Sequence, residues 1–117
     1  MLLLLPFSGG AQVLKSIRVK QADTLISNHK DKGDLLILDV RTPAEYNGHR
    51  IAGAVNQDFW SQSFADSILK LQRDRIYLVY CTSGIRSKSA MKKMGELDFQ
   101  RVYNLRGGIV AWKIKHR

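Results

Sequence analysis

An α/β domain, with helices flanking a mainly parallel sheet, is the fold class this chain predicts, and three observations predict it. Strand-like and helix-like patterns alternate roughly every ten to fifteen residues along the whole sequence. The run Leu35-Leu36-Ile37-Leu38 is apolar without a break and is bounded by a polar turn and by Asp39, the mark of a strand covered on both faces. The length, 117 residues, suits one domain and excludes two, and at that size about two thirds of the unfolded surface can be buried.

Taken in order, Ile17 to Val19 is a short strand candidate, and Gln21 to His29 places Ala22, Leu25 and Ile26 at helical spacing. Residues 30–34 form a polar turn before the Leu35 to Leu38 strand. Thr42-Pro43-Ala44-Glu45 opens a short helix: Thr42 caps it, Pro43 suits its first turn and Glu45 completes a capping box. Ala54-Val55-Asn56 is a brief strand. Phe64, Ile68, Leu69 and Leu71 imply a helix from Ser63 to Gln72, and Ile76 to Tyr80 carries the strongest strand signal. Ser87 to Glu96 is helical with Ala90, Met91 and Met94 inward, Val102 to Asn104 is the last strand, and Val110 to Lys115 the last helical turn. In a parallel sheet of this kind the crevice lies outside the carboxyl ends of the strands. Asp39-Val40-Arg41 and Cys81 follow two of those ends directly, so both are expected to face one crevice.

Composition narrows the function. Hydrophobic residues at 44% and charged residues at 25% are ordinary globular values, and nine Gly with two Pro exclude a collagen-like or Pro-rich disordered chain. The net charge of +9 draws anions to the surface. A single cysteine excludes an internal disulfide framework and a CxxC site, leaving Cys81 as either a core thiol or a reactive one.

The segment Cys81-Thr82-Ser83-Gly84-Ile85-Arg86-Ser87 sits between the strongest strand and a helix. A strand that ends in a thiol, a tight loop with one Gly and a helix N-terminus aims several backbone N–H groups at one point, where the sulfur sits. With Arg86 nearby, such surroundings lower a cysteine pKa from roughly 8.5 to about 3.5–7.5, making Cys81 largely thiolate at neutral pH. The same amides would hold the outer sulfur of a persulfide.

At these residues the sequence closely resembles the rhodanese (thiosulfate sulfurtransferase) family in its single-domain form. The resemblance extends to Leu36 through Tyr46, to Ile51-Ala52-Gly53-Ala54-Val55-Asn56 and to Asn104 through Trp112. It implies a five-stranded, mostly parallel sheet flanked by helices, a catalytic cysteine matching Cys81, and transfer of a sulfane sulfur from a small anionic donor such as thiosulfate to a thiophilic acceptor. No cofactor and no metal are implied. One departure is His49-Arg50-Ile51, where family members commonly carry Gly-His-Ile, so the bend before Ile51 is expected to differ locally. Rhodanese-like phosphatases use a longer spacing between cysteine and arginine, and the four residues between Cys81 and Arg86 close a ring better suited to one sulfur than to a phosphate. A non-catalytic binding module and a sulfur carrier are the other readings.

Within the loop, Thr82, Ser83, Gly84, Ile85, Arg86 and Ser87 form the expected donor-binding surface. Arg86 would hold the sulfonate end of the donor, and Gly84 would take a conformation or close approach that a side chain obstructs. Ser83 and Ser87 would bond the sulfur or, for Ser87, cap the helix, and Thr82 would be rim. The resemblance suggests that Asp39 and Arg41, with Glu45, brace the loop, while a surface pair of Arg41 with Glu45 at helical spacing is the alternative for Glu45. Gly107-Gly108 is expected to shape a turn near the crevice.

Residues 1–14 read as a flexible N-terminal segment and 15–117 as the domain. Leu2 to Leu5 followed by Ser8-Gly9-Gly10-Ala11 resembles the tail of a secretory signal cut after Ala11, which favours a periplasmic or secreted destination; a loosely docked terminus is the alternative. The apolar run is too short to span a bilayer. Lys88, Lys92, Lys93 and the basic tail Lys113 to Arg117 lack an aromatic stacking platform, so nucleic-acid binding is not expected. His29, His49 and His116 lack ligand spacing.

Overall fold

The computed structural model describes residues 11–117. Five strands form one parallel sheet: β1 (Val13–Ile17), β2 (Leu35–Asp39), β3 (Val55–Asn56), β4 (Ile76–Tyr80) and β5 (Arg101–Leu105), in the spatial order β1-β5-β4-β2-β3. The helices are α1 (Val19–His29), α2 (Pro43–Gly48), α3 (Phe64–Ile68), α4 (Ile85–Glu96) and α5 (Gly108–Lys115). The expected five-stranded parallel sheet with flanking helices is therefore the fold.

Period-two alternation on β4 supplies both halves of the core. Tyr77, Val79 and Cys81 join the cluster under α3 and α4 with Phe64, Ile68, Ala90 and Met94, whereas Leu78 and Tyr80 join Ala22 and Ile109 under α1 and α5. Every β4 residue is buried, and burying a side chain such as Leu78 contributes about 1.5–3 kcal/mol. Tyr77 meets Phe99 edge to face at 5.3 Å. Register aligns Asp39 with Tyr80, Val79 with Asn104, and Asn104 with Ser16, so Asp39, Cys81, Asn104 and Ser16 share the carboxyl edge of the sheet.

Several boundaries differ from those expected. The first strand runs over Val13–Ile17, and Val19 already belongs to α1. As an edge strand with three exposed residues, β1 has almost no hydrophobic alternation to betray it, and it forms only because β5 offers a partner. Gln12 also ties in, its amide donating to the carbonyls of Gly95 (2.8 Å) and Phe99 (2.7 Å). The folded part thus starts ahead of residue 15, while the leucine-rich segment read as a signal lies in residues 1–10, outside the described residues. α3 stops at Ile68 rather than Gln72: Leu69 is exposed, and the Arg73 guanidinium takes the carbonyls of Leu69 and Leu71, bending the chain back. α4 begins at Ile85, two residues early, because Gly84 at φ +100° is its N-cap. Ser87 is consequently inside the first turn and caps nothing. No helix among the described residues is long and apolar enough to cross a membrane.

Candidate active site

The sulfur of Cys81 stands where β4 ends and the loop to α4 begins, 1% exposed. Three donors lie within hydrogen-bonding range of it: Gly84 N at 3.1 Å, Ser87 N at 3.4 Å and Ser87 Oγ at 3.3 Å. The backbone N–H of Ser83 also favours the charged sulfur. Burial pushes the thiol up, but the Ser87 hydroxyl and the amides of Ser87, Gly84 and Ser83 outweigh it, and the net direction is down from an ordinary cysteine.

The amides converge because the carbonyls are held elsewhere. Ile109 N donates to the Cys81 carbonyl at 2.9 Å and Val110 N to that of Thr82 at 3.2 Å, so the first turn of α5 takes both. In a trans peptide the N–H points opposite to the C=O of the same unit, and the amides of Thr82 and Ser83 are thereby turned away from α5. The Gly84 carbonyl is taken by Lys88 N (3.2 Å) and by Asn104 Nδ2 (3.3 Å). Two glycines let the backbones meet. A Cβ on Gly84 would stand 3.2 Å from Gly107 N, and one on Gly108 would fall 2.3 Å from the Thr82 carbonyl oxygen.

Glu45 and Arg86 form the rim. Arg86 Nη1 and Nη2 donate to the two carboxylate oxygens at 2.8 and 3.0 Å, a bidentate pair, and the Arg86 guanidinium lies 4.5 Å from the centre of the Trp60 ring. Thr82 Oγ1 donates to Glu45 Oε2 at 2.9 Å and accepts from Arg86 at 3.1 Å. The hydrogen bonds from Arg86 hold the Glu45 carboxyl far below the usual carboxylate range. Arg86, expected to be free for a donor anion, is thus engaged within the protein, and Thr82 is part of the same brace rather than bare rim. Glu45 also closes the capping box of α2 with Thr42, as its sequence position implies. The Arg41–Glu45 surface pair does not form.

Arg41 turns instead to Asp39: Nη2 to Oδ2 is 2.7 Å and Nε reaches both oxygens at 3.1 and 3.2 Å, with both residues buried. Arg41 Nη2 also donates to the His49 carbonyl. Ile51 N donates to the Tyr80 hydroxyl (3.1 Å), and Asn56 Nδ2 caps the carbonyls of Asp39 (3.1 Å) and Arg41 (2.9 Å). Through His49 this pair holds the bend at 49–51; of the three residues Glu45, not Asp39 or Arg41, hydrogen-bonds to the cysteine loop. Ser83 and Ile85 are exposed on the loop's outer surface, with Ile85 at 75%.

Two site residues escape the sequence reading. Asn104, buried at the end of β5, accepts from Ser87 Oγ and donates to Ser16 Oγ (3.0 Å) and Gly84 O. A polar side chain inside an apolar strand, between Tyr103 and Leu105, was its signal. Trp60, exposed beside Arg86, has no periodic neighbour to mark it. Among the described residues no cluster of three or more metal-ligating side chains occurs.

Comparison with known proteins places the chain in a family. The model of the rhodanese-like domain matches residues 21–115, most of the chain. The chain belongs to the rhodanese family. Among curated relatives, a sulfurtransferase of Allochromatium vinosum is 35% identical over 91 residues, covering 78% of this chain and 83% of its own. Thiosulfate sulfurtransferase GlpE of Coxiella burnetii is 35% identical over 86 residues, covering 73% and 78%. A tRNA uridine(34) hydroxylase of Ehrlichia chaffeensis is also 35% identical, over 98 residues, but this chain spans only 34% of its length. Among solved structures, a rhodanese-related protein of Thermoplasma volcanium superposes with a TM-score of 0.70 at 27% identity, covering 86% of this chain and 92% of its own.

Proposed function

We propose that this rhodanese-like domain is a sulfurtransferase that carries sulfane sulfur on Cys81. The supporting observation is the cradle: a buried sulfur, three main-chain amides and one hydroxyl directed at it, and a thiol held below its ordinary pKa. The Cys81 thiolate attacks the outer sulfur of thiosulfate, the S–S bond breaks, and sulfite leaves with the bonding electrons. The new terminal sulfur bears the negative charge, and the cradle amides supply hydrogen bonds to the anion without reorganising. A thiophilic acceptor, cyanide or a thiolate, then attacks that sulfur and releases the Cys81 thiolate. Electrons balance in both halves without a redox partner. The glutamate–arginine pair holds the loop closed, and the approach of an anionic donor is assisted by the net charge of +9 rather than by a free Arg86.

Intact mass spectrometry tests the reading. After incubation with thiosulfate the protein gains one sulfur atom, cyanide removes it as thiocyanate, and Cys81→Ala abolishes both. A gain from a persulfidated protein but not from thiosulfate identifies a sulfur carrier, and no gain from either overturns the proposal in favour of a binding module.

A further inference from the structure

On the β1–β5 side of the cysteine loop, away from Glu45, an open cavity of about 580 Å³ has a one-signed charge lining. Lys88 and Lys92, four residues apart on α4 and so on one face of it, share the cavity with Arg106 from the turn into α5. Among the described residues none of the three has a carboxylate within salt-bridge distance and no acidic residue lines the space, whereas Arg41 and Arg86 are both paired. Ser16, Ser83 and Ser89 add hydroxyls, and Ile85 and Met91 add an apolar wall. Like charges gathered without a counter-ion repel one another, and a bound anion removes that repulsion.

We infer that this cavity is a binding site for a small polyanion of the phosphate class, distinct from the sulfur cradle although Ser83 and Gly84 border both. Its volume lies within the range of small-molecule sites, about 300–1,000 Å³. Lysine binds phosphate as a compact point charge and arginine as a fork, and both are present. Among the described residues no aromatic ring lines the cavity, so they offer no platform on which nucleic-acid bases would stack, and the ligand is a small molecule rather than a single strand. The site does not depend on sulfur chemistry at Cys81.

The test is an amide NMR titration of the Cys81→Ser protein at low salt, which removes the thiol and so separates this site from the proposed transfer reaction. The probes are inorganic pyrophosphate and phenyl phosphate. Saturable shifts at residues 88–92 and 106–107 are expected, with affinity weakened about tenfold in Lys88→Gln/Lys92→Gln. Lys30→Gln/Lys32→Gln, which removes the same charge from the turn after α1, leaves affinity unchanged. Tighter binding of phenyl phosphate assigns an organic ester and uses the Ile85–Met91 wall; tighter binding of pyrophosphate assigns a polyphosphate. Equal weakening in both double variants, shifts centred on the cysteine loop and Glu45 instead, or no saturation with either probe overturns the inference.

Discussion

Ser87 has one hydroxyl proton and two acceptors before it, the Cys81 sulfur at 3.3 Å and Oδ1 of Asn104. A neutral thiol can donate its own proton to Ser87 Oγ and leave the serine proton on Asn104. An ionised sulfur needs the serine proton, so ionisation draws on this hydroxyl as well as on the amides. Ser87→Ala is therefore expected to move the pH midpoint of Cys81 alkylation by iodoacetamide upward, toward that of an ordinary thiol; an unchanged midpoint would show that the amides alone hold the charge. The direction follows from removing a hydrogen bond that favours the charged form. At this scale Cys81 and Gly84 were readable, because a thiol after a strand and a glycine in a tight loop each have a local physical reason. The partner of Arg86 was not, since Glu45 lies 41 positions away in sequence.

At the scale of elements, α5 is the device that shapes the loop from behind. Its first free N–H groups take the carbonyls of Cys81 and Thr82, and Gly108 at φ +59° lets the backbones approach closely enough for this. Gly108→Ala drives a Cβ into the Thr82 carbonyl and is expected to cost about 2–4 kcal/mol, read from the shift in urea midpoint. Sulfur loading should fall in the same variant even where it remains folded. The Gly107-Gly108 pair announced a turn near the crevice, but its hydrogen bonds to the cysteine loop depend on β5 lying beside β4. The short β1 and the truncated α3 illustrate the same limit: an exposed edge strand has no inward stripe, and apolar spacing can run on past a helix end where an arginine takes the carbonyls that follow it.

For the molecule as a whole, nineteen basic against ten acidic residues create a field that reaches beyond any single contact. With Arg41 and Arg86 both paired internally, attraction of an anionic donor rests on the remaining cations. Salt should therefore lower kcat/KM for thiosulfate while sparing kcat, as the screening length falls from ~30 Å at ~0.01 M to ~8 Å at ~0.15 M; a kcat/KM indifferent to salt would remove steering from the account. The amino-acid sequence by itself determined the α/β class, the parallel sheet, the thiol at a strand end and the tight loop after it, because each is written in spacing along a few neighbouring residues. Only the tertiary structure decided that Glu45 closes on Arg86, that Asp39 and Arg41 pin the bend at His49, and that Asn104 backs Ser87. Those partners meet because the crossovers lay β2, β4 and β5 side by side with their carboxyl ends aligned, and local periodicity carries no record of which distant side chains that alignment brings into contact.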